Sequence, residues 1–144
     1  MKALIFDPFA GISGDMTLGA LIDLGLDPEW LQQFVAHLGL GDITVNVSRT
    51  RRSGIDSARV AFELPHEHAH RHLKHVVEII NRSNASDVTK SRAIEAFTLL
   101  ARAEAEVHGT TIEKVHFHEV GALDAILDVL CSMAAIEQLG FEEF

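Results

Sequence analysis

The chain is organised around the stretch VHFHEVGALD at residues 115–124. It places two histidines and two carboxylates close together, and imidazole and carboxylate are the groups that bind borderline divalent metals and move protons near neutral pH. In an extended segment His116 and His118 point to one face, and Phe117 and Glu119 to the other. Gly121 breaks this alternation before a strongly apolar segment. The pattern therefore predicts a polar turn that leads into a buried helix.

This stretch supports two interpretations. The side chains of His116, His118, Glu119 and Asp124 could form a metal-binding or acid–base cluster. Alternatively, they are hydrogen-bonded partners that cap the last helix. Asp124 and Asp128 are four residues apart and share a helix face, and a buried carboxylate without a partner is costly. The second acid therefore favours the functional interpretation slightly.

Composition limits the class of protein. The chain has 144 residues, 47% of them apolar, which predicts one domain (residues 1–144) with a real core. A formal charge of −9 argues against a nucleic-acid-binding surface and is compatible with cation binding. The sequence has no apolar run of 18 residues and no leader pattern, so we expect a soluble, cytoplasmic protein without a membrane span. The single cysteine, Cys131, lies in an apolar run and is expected to be a buried hydrophobe.

The order of predicted elements indicates an α+β fold. Residues 2–9 (KALIFDPF) predict a buried first strand, and residues 16–24 a helix with Asp15 as its N-cap or first-turn acid. A second helix, a hairpin and three further helices complete the chain; they are expected at residues 28–38, 43–51 with 55–64, 70–83, 87–108 and 123–139. The expected architecture is a small mixed sheet of about three strands packed against about five helices.

The first turn, DPFAGISGD at residues 7–15, is a second candidate site. A strand, a glycine turn and a helix start present free N–H groups that can hold an anion, so Gly11, Ser13 and Gly14 are candidates for cofactor binding. The turn has no lysine and lacks the P-loop pattern. Asp7 and Asp15 are therefore better interpreted as ligands of a metal or of a metal–phosphate pair. The plain alternative is a turn in which Asp15 caps a helix.

A histidine run forms the third candidate. In an extended segment His66, His68, His70 and His72 all share one face, and in a helix His68 and His72 are neighbours. Either arrangement can place two imidazoles on one ion, and imidazole suits nickel, zinc, copper and cobalt alike. The alternative is a solvated polar loop, but nine histidines in the chain favour metal contact.

Three motifs in the same order resemble the nickel insertion proteins of nickel-pincer cofactor biosynthesis. They are DPFAGISGDM with GAL at residues 19–21, the histidine run through His72-Leu73, and AEAEVHG at residues 103–109 leading to VHFHEVGALD. The resemblance covers nearly the whole chain. The metal-ligand candidates within these motifs are His66, His68, His70, His72, His116, His118 and Asp124, and the catalytic candidates are Asp7, Asp15, His118 and Glu119.

The resemblance implies a lyase-class reaction, a CTP-dependent cyclometallation assisted by Mg²⁺ or Mn²⁺. In it, nickel enters the precursor pyridinium-3,5-bisthiocarboxylic acid mononucleotide. Members of the family are typically longer, with a C-terminal region that the resemblance associates with CTP binding and catalysis. We therefore expect this chain to be the N-terminal part of a longer architecture whose C-terminal region is absent here, with that region as a possible catalytic partner.

Two alternatives stay open beside this reading. The chain could be a non-catalytic nickel-binding or assembly module, possibly a homo-oligomer, that serves a separate catalytic region. It could also be a metal-dependent hydrolase, which would require Asp7, Asp15, His116, His118 and Asp124 to converge in space.

Overall fold

The computed structural model describes residues 2–9, 11–64, 71–117 and 120–144. Within them the chain forms five α-helices, one two-stranded sheet and a short 3-10 turn. The order is α1 (Gly14–Asp23), α2 (Pro28–His37), β1 (Thr44–Arg52), β2 (Ile55–Glu63), α3 (Leu73–Arg82), α4 (Asp87–His108), the 3-10 turn Ile112–Lys114 and α5 (Leu123–Gln138). The predicted combination of helices and strands, with five helices, is confirmed.

Local sequence signals set the ends of α4. The Ser86 hydroxyl accepts a hydrogen bond from the Thr89 N–H at 3.1 Å, which satisfies one of the free donors in the first turn. At the other end Gly109 adopts a left-handed conformation with φ 60°, where a side chain would be strained. The predicted bounds of this helix, residues 87–108, are confirmed at both ends.

The strands β1 and β2 form the predicted hairpin. They pair antiparallel from Thr44 opposite Glu63 to Arg52 opposite Ile55. The two linking residues, Ser53 and Gly54, both have positive φ, at 51° and 84°. Two positive-φ residues in a two-residue loop match the twist of the flanking strands.

Helix α5 lies at the centre of the core. Its residues Ile126, Leu127, Leu130 and Cys131 are fully buried, and the helix packs against α1 and α4. Burial, with a smaller effect from the Asp128 charge, raises the pKa of the Cys131 thiol well above its usual range. The expected role of Cys131 as a small buried hydrophobe is confirmed.

Helix α1 approaches β2 more closely than side chains would allow. A Cβ atom at Gly19 would lie 2.4 Å from the main-chain oxygen of Ala58. At the end of the same helix, the Asp23 carboxylate accepts a hydrogen bond from the Ala58 N–H at 3.0 Å and pairs with Arg49. The Ala58 N–H, and then Arg49, lower the pKa of Asp23. These contacts hold the hairpin against the helical layer.

The predicted first strand is not confirmed. Its described residues make only an isolated parallel bridge, Ala3 to Glu143, in which the Leu4 N–H donates to the Glu143 oxygen at 2.9 Å. The expectation of burial is wrong, since Ile5 is 87% and Phe6 40% exposed. The described sheet is accordingly antiparallel rather than mixed and has two strands rather than three. The prediction of a buried strand from an apolar run assumes that other elements cover the segment on both sides, and among the described residues this segment lacks such cover.

Across the residues described here, none of the helices combines the length and apolar character needed to cross a bilayer.

Candidate functional site

A two-residue antiparallel bridge joins the histidine run to the VHFHEVGALD stretch. The Phe117 N–H donates to the Arg71 oxygen at 2.9 Å, and the Arg71 N–H donates to the Phe117 oxygen at 3.3 Å. Phe117 is 1% exposed and meets Phe97 of α4 edge-to-face, so the bridge is anchored in the core. In antiparallel register, the residues next to this pair face each other on one side. The bridge therefore places His72 opposite His116.

The two imidazole rings are in contact. The ring centroids of His72 and His116 lie 3.9 Å apart, with the planes inclined at 45°. His72 Nδ1 lies 2.9 Å from the main-chain oxygen of Val115. A carbonyl only accepts, so Nδ1 is the donor in this contact, and in the neutral ring the lone pair is on Nε2. Metal-binding histidines are commonly oriented by this kind of second hydrogen bond.

His75 takes a structural role beside this pair. Its ring lies 5.6 Å from that of His72, and its Nδ1 accepts a hydrogen bond from the His72 N–H at 3.3 Å. His72 is the N-cap residue of α3. The His75 side chain thus satisfies a main-chain donor at the start of the helix, which occupies its Nδ1 lone pair.

Gly121 connects the histidine pair to the start of α5. Arg71 Nη1 donates a hydrogen bond to the Gly121 oxygen at 2.7 Å. A Cβ atom at Gly121 would lie 2.8 Å from the Cβ of Phe117. The glycine that interrupts the apolar alternation therefore lets the start of α5 pack directly against the bridge. Residues 118 and 119 of the predicted polar turn lie outside the described residues.

His116 also opens onto a shallow cavity of about 190 Å³. Glu104 and His108 of α4 line the same cavity, and His108 Nε2 lies 3.2 Å from Glu104 Oε2. Sequence reasoning did not select these two residues as site candidates. The sequence did contain a pattern that could have identified them, because a glutamate and a histidine four residues apart share a helix face and can pair.

A second group of polar side chains lies where α1 meets α5. Burial, and then the charges of Asp15 and Asp124, raise the pKa of Asp128 to about 6. Asp15 accepts hydrogen bonds from the Ser13 hydroxyl and from the Met16 N–H. The structure therefore confirms Asp15 as a first-turn acid and gives the N-cap position to Ser13.

Close packing places Asp128 against the glycine turn. A Cβ atom at Gly14 would lie 2.2 Å from the Cβ of Asp128, so only glycine lets α1 begin there. Asp128 and Ser132 line an apolar cavity of about 760 Å³ together with Ser13 and Gly14. The Ser132 hydroxyl is buried and, among the described residues, has no hydrogen-bond partner. No sequence pattern singled out Ser132.

The other candidate residues of the first turn, Asp7 and Gly11, lie in a different cavity. Asp7 and Gly11 line a separate cavity of about 230 Å³ beside α1, and Asp7 is exposed. Phe6 and Ile12 separate this cavity from the larger one, because both residues line both. The structure thus brings Ser13, Gly14 and Asp15 near Asp124 and Asp128, whereas Asp7 lies on the other side of the turn.

The remaining predicted ligands, His66, His68, His70, His118 and Glu119, lie outside the described residues. Their assignment as metal ligands or catalytic groups stays a prediction. Within residues 2–9, 11–64, 71–117 and 120–144, no three His, Cys, Asp or Glu side chains converge in a way that would hold a metal ion. The described part of the site is thus a histidine pair and a separate carboxylate group.

Comparison with known proteins gives a consistent result. The family model described as nickel insertion protein matches residues 4–144. The pyridinium-3,5-bisthiocarboxylic acid mononucleotide nickel insertion protein of Desulfitobacterium hafniense is 43% identical over 143 residues, which is 99% of this chain and 36% of the relative. The protein of the same description from Staphylococcus saprophyticus is 39% identical over 142 residues, again 36% of its length.

A putative nickel insertion protein of Dictyoglomus thermophilum is 43% identical over 143 residues, and the match covers 37% of it. The chain therefore spans about a third of the length of the curated relatives it matches. No solved structure matches the chain.

Proposed function

Because this chain belongs to the nickel insertion protein family, we propose that it takes part in inserting nickel into pyridinium-3,5-bisthiocarboxylic acid mononucleotide. That compound stands in the names of the Desulfitobacterium hafniense and Staphylococcus saprophyticus relatives. Since the match covers about a third of each relative, the proposal assigns only one step to this chain. That step is binding of the nickel ion, which is a substrate of the whole protein.

The pairing of His72 with His116 carries this proposal. The two residues come from separate histidine motifs, and the bridge between Arg71 and Phe117 brings their rings to 3.9 Å. The Val115 oxygen engages Nδ1 of His72, which leaves Nε2 of the neutral ring as the nitrogen that can bind metal. Imidazole suits nickel. Two ligands hold an ion less firmly than a closed four-ligand site does. Weaker binding suits a nickel ion that has to be transferred to the precursor.

The family resemblance adds CTP with Mg²⁺ or Mn²⁺, and we place their site outside this chain. Asp128 packs against Gly14 at the start of α1, and the charges of Asp15 and Asp124 act on it, so this group of carboxylates would repel a triphosphate. Among the described residues, no lysine or arginine lines either cavity beside the glycine turn. We assign the lyase chemistry to the same outside region, and the reaction to the cytoplasm, where a nucleotide substrate is found.

A non-catalytic, nickel-binding role is thus the form of the proposal that we favour for this chain. A hydrolase would need Asp7 and Asp15 in one site, but Asp7 lines a different cavity from the Ser13–Gly14 turn. We therefore do not carry the hydrolase reading further.

Reconstitution tests the proposal. The chain would be mixed with a separately purified polypeptide that comprises the unmatched part of the Desulfitobacterium hafniense relative, together with CTP, Mg²⁺, Ni²⁺ and the precursor. Mass spectrometry would follow the nickel-containing product. We expect product only when both polypeptides are present, and a much slower reaction at limiting Ni²⁺ with the variant His72→Asn/His116→Ala.

The matched control is His37→Ala, which removes an exposed histidine at the end of α2. Product from this chain alone would contradict the non-catalytic role. An unchanged rate for the double variant at limiting Ni²⁺ would remove the histidine pair from the proposal.

A further inference from the structure

The N-terminal segment and the start of α1 expose a row of large apolar side chains. We call this surface the N-terminal apolar face; it consists of Ile5 (87% exposed), Phe6 (40%), Phe9 (94%), Ile12 (56%) and Met16 (54%). Four of these residues, all except Phe9, line the same cavity and so form one continuous surface, and Phe9 is the most exposed of the five. Exposed apolar patches of this kind mark interaction sites on folded proteins.

Grooves lie on both sides of the face. Phe6, Ile12 and Thr17 line both the cavity of about 230 Å³ beside α1 and the cavity of about 760 Å³ over α5, so they form the boundary, or ridge, between the two. Val129 and Met133 of α5 line the larger cavity, and they are only partly buried against the core. A partner on the ridge could therefore place side chains in two apolar grooves at once.

The main chain of this segment is also open to pairing. The Leu4 N–H and the Lys2 oxygen bond to residues 142 and 143, which starts a short parallel pairing. In the described portions of the chain, no hydrogen bond from the N–H of Ile5 or Phe6 is found. An extended segment with free main-chain groups and apolar side chains is the template on which another strand pairs.

We propose that the N-terminal apolar face binds an extended, apolar β-strand from the region of nickel insertion proteins that lies outside the part matched by this chain. The proposal deepens the proposed function, because it names the surface through which this chain meets the catalytic region. About two thirds of each relative's length lies outside the match, which supplies a partner large enough to cover the face.

Two other occupants fit less well. A second copy of this chain would bring together two molecules that each carry a formal charge of −9, with Asp7 inside the contact. A small ligand would need several convergent polar groups, but the polar side chains lining the smaller cavity are only those of Asp7 and Thr17 among its described residues. An apolar strand could place its side chains in the grooves and accept hydrogen bonds from main-chain N–H groups of the segment.

Titration calorimetry with the same unmatched polypeptide of the Desulfitobacterium hafniense relative tests the proposal. We expect saturable binding to this chain, weakened at least about tenfold by Ile5→Ser/Phe9→Ser. The matched control is Ile55→Ser/Val107→Ser, which removes two similarly exposed apolar side chains, 71% and 82% exposed, outside the face. All four substitutions are at the surface, and circular dichroism would confirm that both variants fold.

Hydrogen exchange supplies a second readout. Successive N–H groups of a strand point to opposite edges, and the Leu4 N–H already bonds to residue 143. We therefore expect the Ile5 amide, on the open edge, to become protected when the partner is added. The proposal is overturned by absence of binding, by equal affinity for the Ile5→Ser/Phe9→Ser variant, or by binding without protection of the Ile5 amide. Self-association of this chain that the same variant abolishes would also overturn it, because a second copy would then cover the face.

The failure of this inference can be separated from that of the proposed function. Ile5 and Phe9 lie outside the histidine pair, so the Ile5→Ser/Phe9→Ser variant should bind Ni²⁺ with unchanged affinity. Conversely, a His72→Asn/His116→Ala variant should bind the partner polypeptide normally. An unchanged rate for the His72→Asn/His116→Ala variant at limiting Ni²⁺ would contradict the proposed function and leave the docking surface in place.

Discussion

The imidazole rings of His72 and His116 lie with their centroids 3.9 Å apart, although helices α3 and α4 separate the two residues in the sequence. Their neighbours Arg71 and Phe117 exchange two main-chain hydrogen bonds, and Phe117 is buried against α4. The main chain and the core thus place the two positions opposite each other, and this placement does not depend on the rings themselves.

Removing this pair should weaken nickel binding. We expect the variant His72→Asn/His116→Ala to bind Ni²⁺ at least about tenfold more weakly than the unmodified chain, because both imidazole ligands are lost. Asparagine keeps a polar group at the N-cap position of α3. Isothermal titration with Ni²⁺ at neutral pH measures the effect.

His37→Ala is the control for this titration, since His37 is exposed and its imidazole Nδ1 lies 2.7 Å from the Gln33 oxygen of the same helix. Its nickel affinity should match that of the unmodified chain. Equal affinities for all three proteins would show that nickel binds elsewhere.

Replacing Asp128 with asparagine should stabilise the protein above neutral pH. The pKa of Asp128 rises from its ordinary value of 3.8 to about 6, so the folded state holds a proton that the unfolded state releases in that interval. Stability therefore falls as pH rises from about 4 to about 6 and stays lower above it. For a fully buried group the loss of stability would amount to about 3 kcal/mol. Because Asp128 is partly exposed, we expect a loss of about 1 kcal/mol.

Urea unfolding of Asp128→Asn at pH 4 and pH 7.5 measures this difference, which should be near zero at the lower pH and favour the variant at the higher pH. Asp42→Asn, at an exposed position, is the control and should show no such trend. A variant that is less stable than the unmodified chain at pH 7.5 would contradict the prediction.

Gly19→Ala should destabilise the fold despite the higher helix propensity of alanine. The new Cβ would lie 2.4 Å from the Ala58 oxygen, and a main-chain carbonyl in a strand pair cannot move aside cheaply. Overpacking of this kind costs about 1–3 kcal/mol, against a gain of up to about 1 kcal/mol in propensity.

Denaturant unfolding detects the loss. Ala20→Ser, at the next and exposed position of α1, should change stability by no more than about 0.5 kcal/mol. If Gly19→Ala were as stable as the unmodified chain, α1 and β2 would have to lie farther apart than they do here.

The Cys131 thiol should be unreactive in the folded protein. It is fully buried, and burial with the nearby Asp128 charge raises its pKa, so both access and thiolate formation are suppressed. Reaction with a thiol reagent should therefore proceed at the rate of unfolding, and one thiol per chain should react at once in guanidinium. Rapid reaction under native conditions would show that α5 is exposed.

Much of the secondary structure follows from local sequence signals. Ser86 and Gly109 at the ends of α4, Pro28 at the start of α2, and Ser53-Gly54 in the hairpin act through their own main chain or a neighbour three residues away. Such interactions need no tertiary context, so the periodicity and the end signals were sufficient to predict these elements.

The first strand shows where this reasoning fails. An apolar run such as residues 2–9 predicts a buried strand only if other elements cover it. Here residues 2–4 meet residues 142–143, and Ile5, Phe6 and Phe9 stay exposed. What covers an apolar segment is a property of its partners, which the segment's own sequence does not contain.

For the candidate site, too, some features could be predicted from the sequence and others could not. Sequence alone named His72, His116, Asp15 and Asp124 as chemically suited to metal or proton chemistry, because residue type and spacing are enough for that. It could not tell that His72 faces His116, or that Asp15 and Asp124 act together on Asp128. It also gave no sign that Ser132 is buried without a described hydrogen-bond partner.

The sequence by itself determined which side chains could bind a metal, where the helices and the hairpin lie, and which family the chain resembles, since each depends on residues close together in the chain. Only the tertiary structure decided that VHFHEVGALD supplies one half of a histidine pair and that His72 supplies the other. Contacts between distant residues depend on how buried elements pack, here on Phe117 against Phe97 and on Gly121 against Phe117. That packing is a property of the whole core and of no single segment.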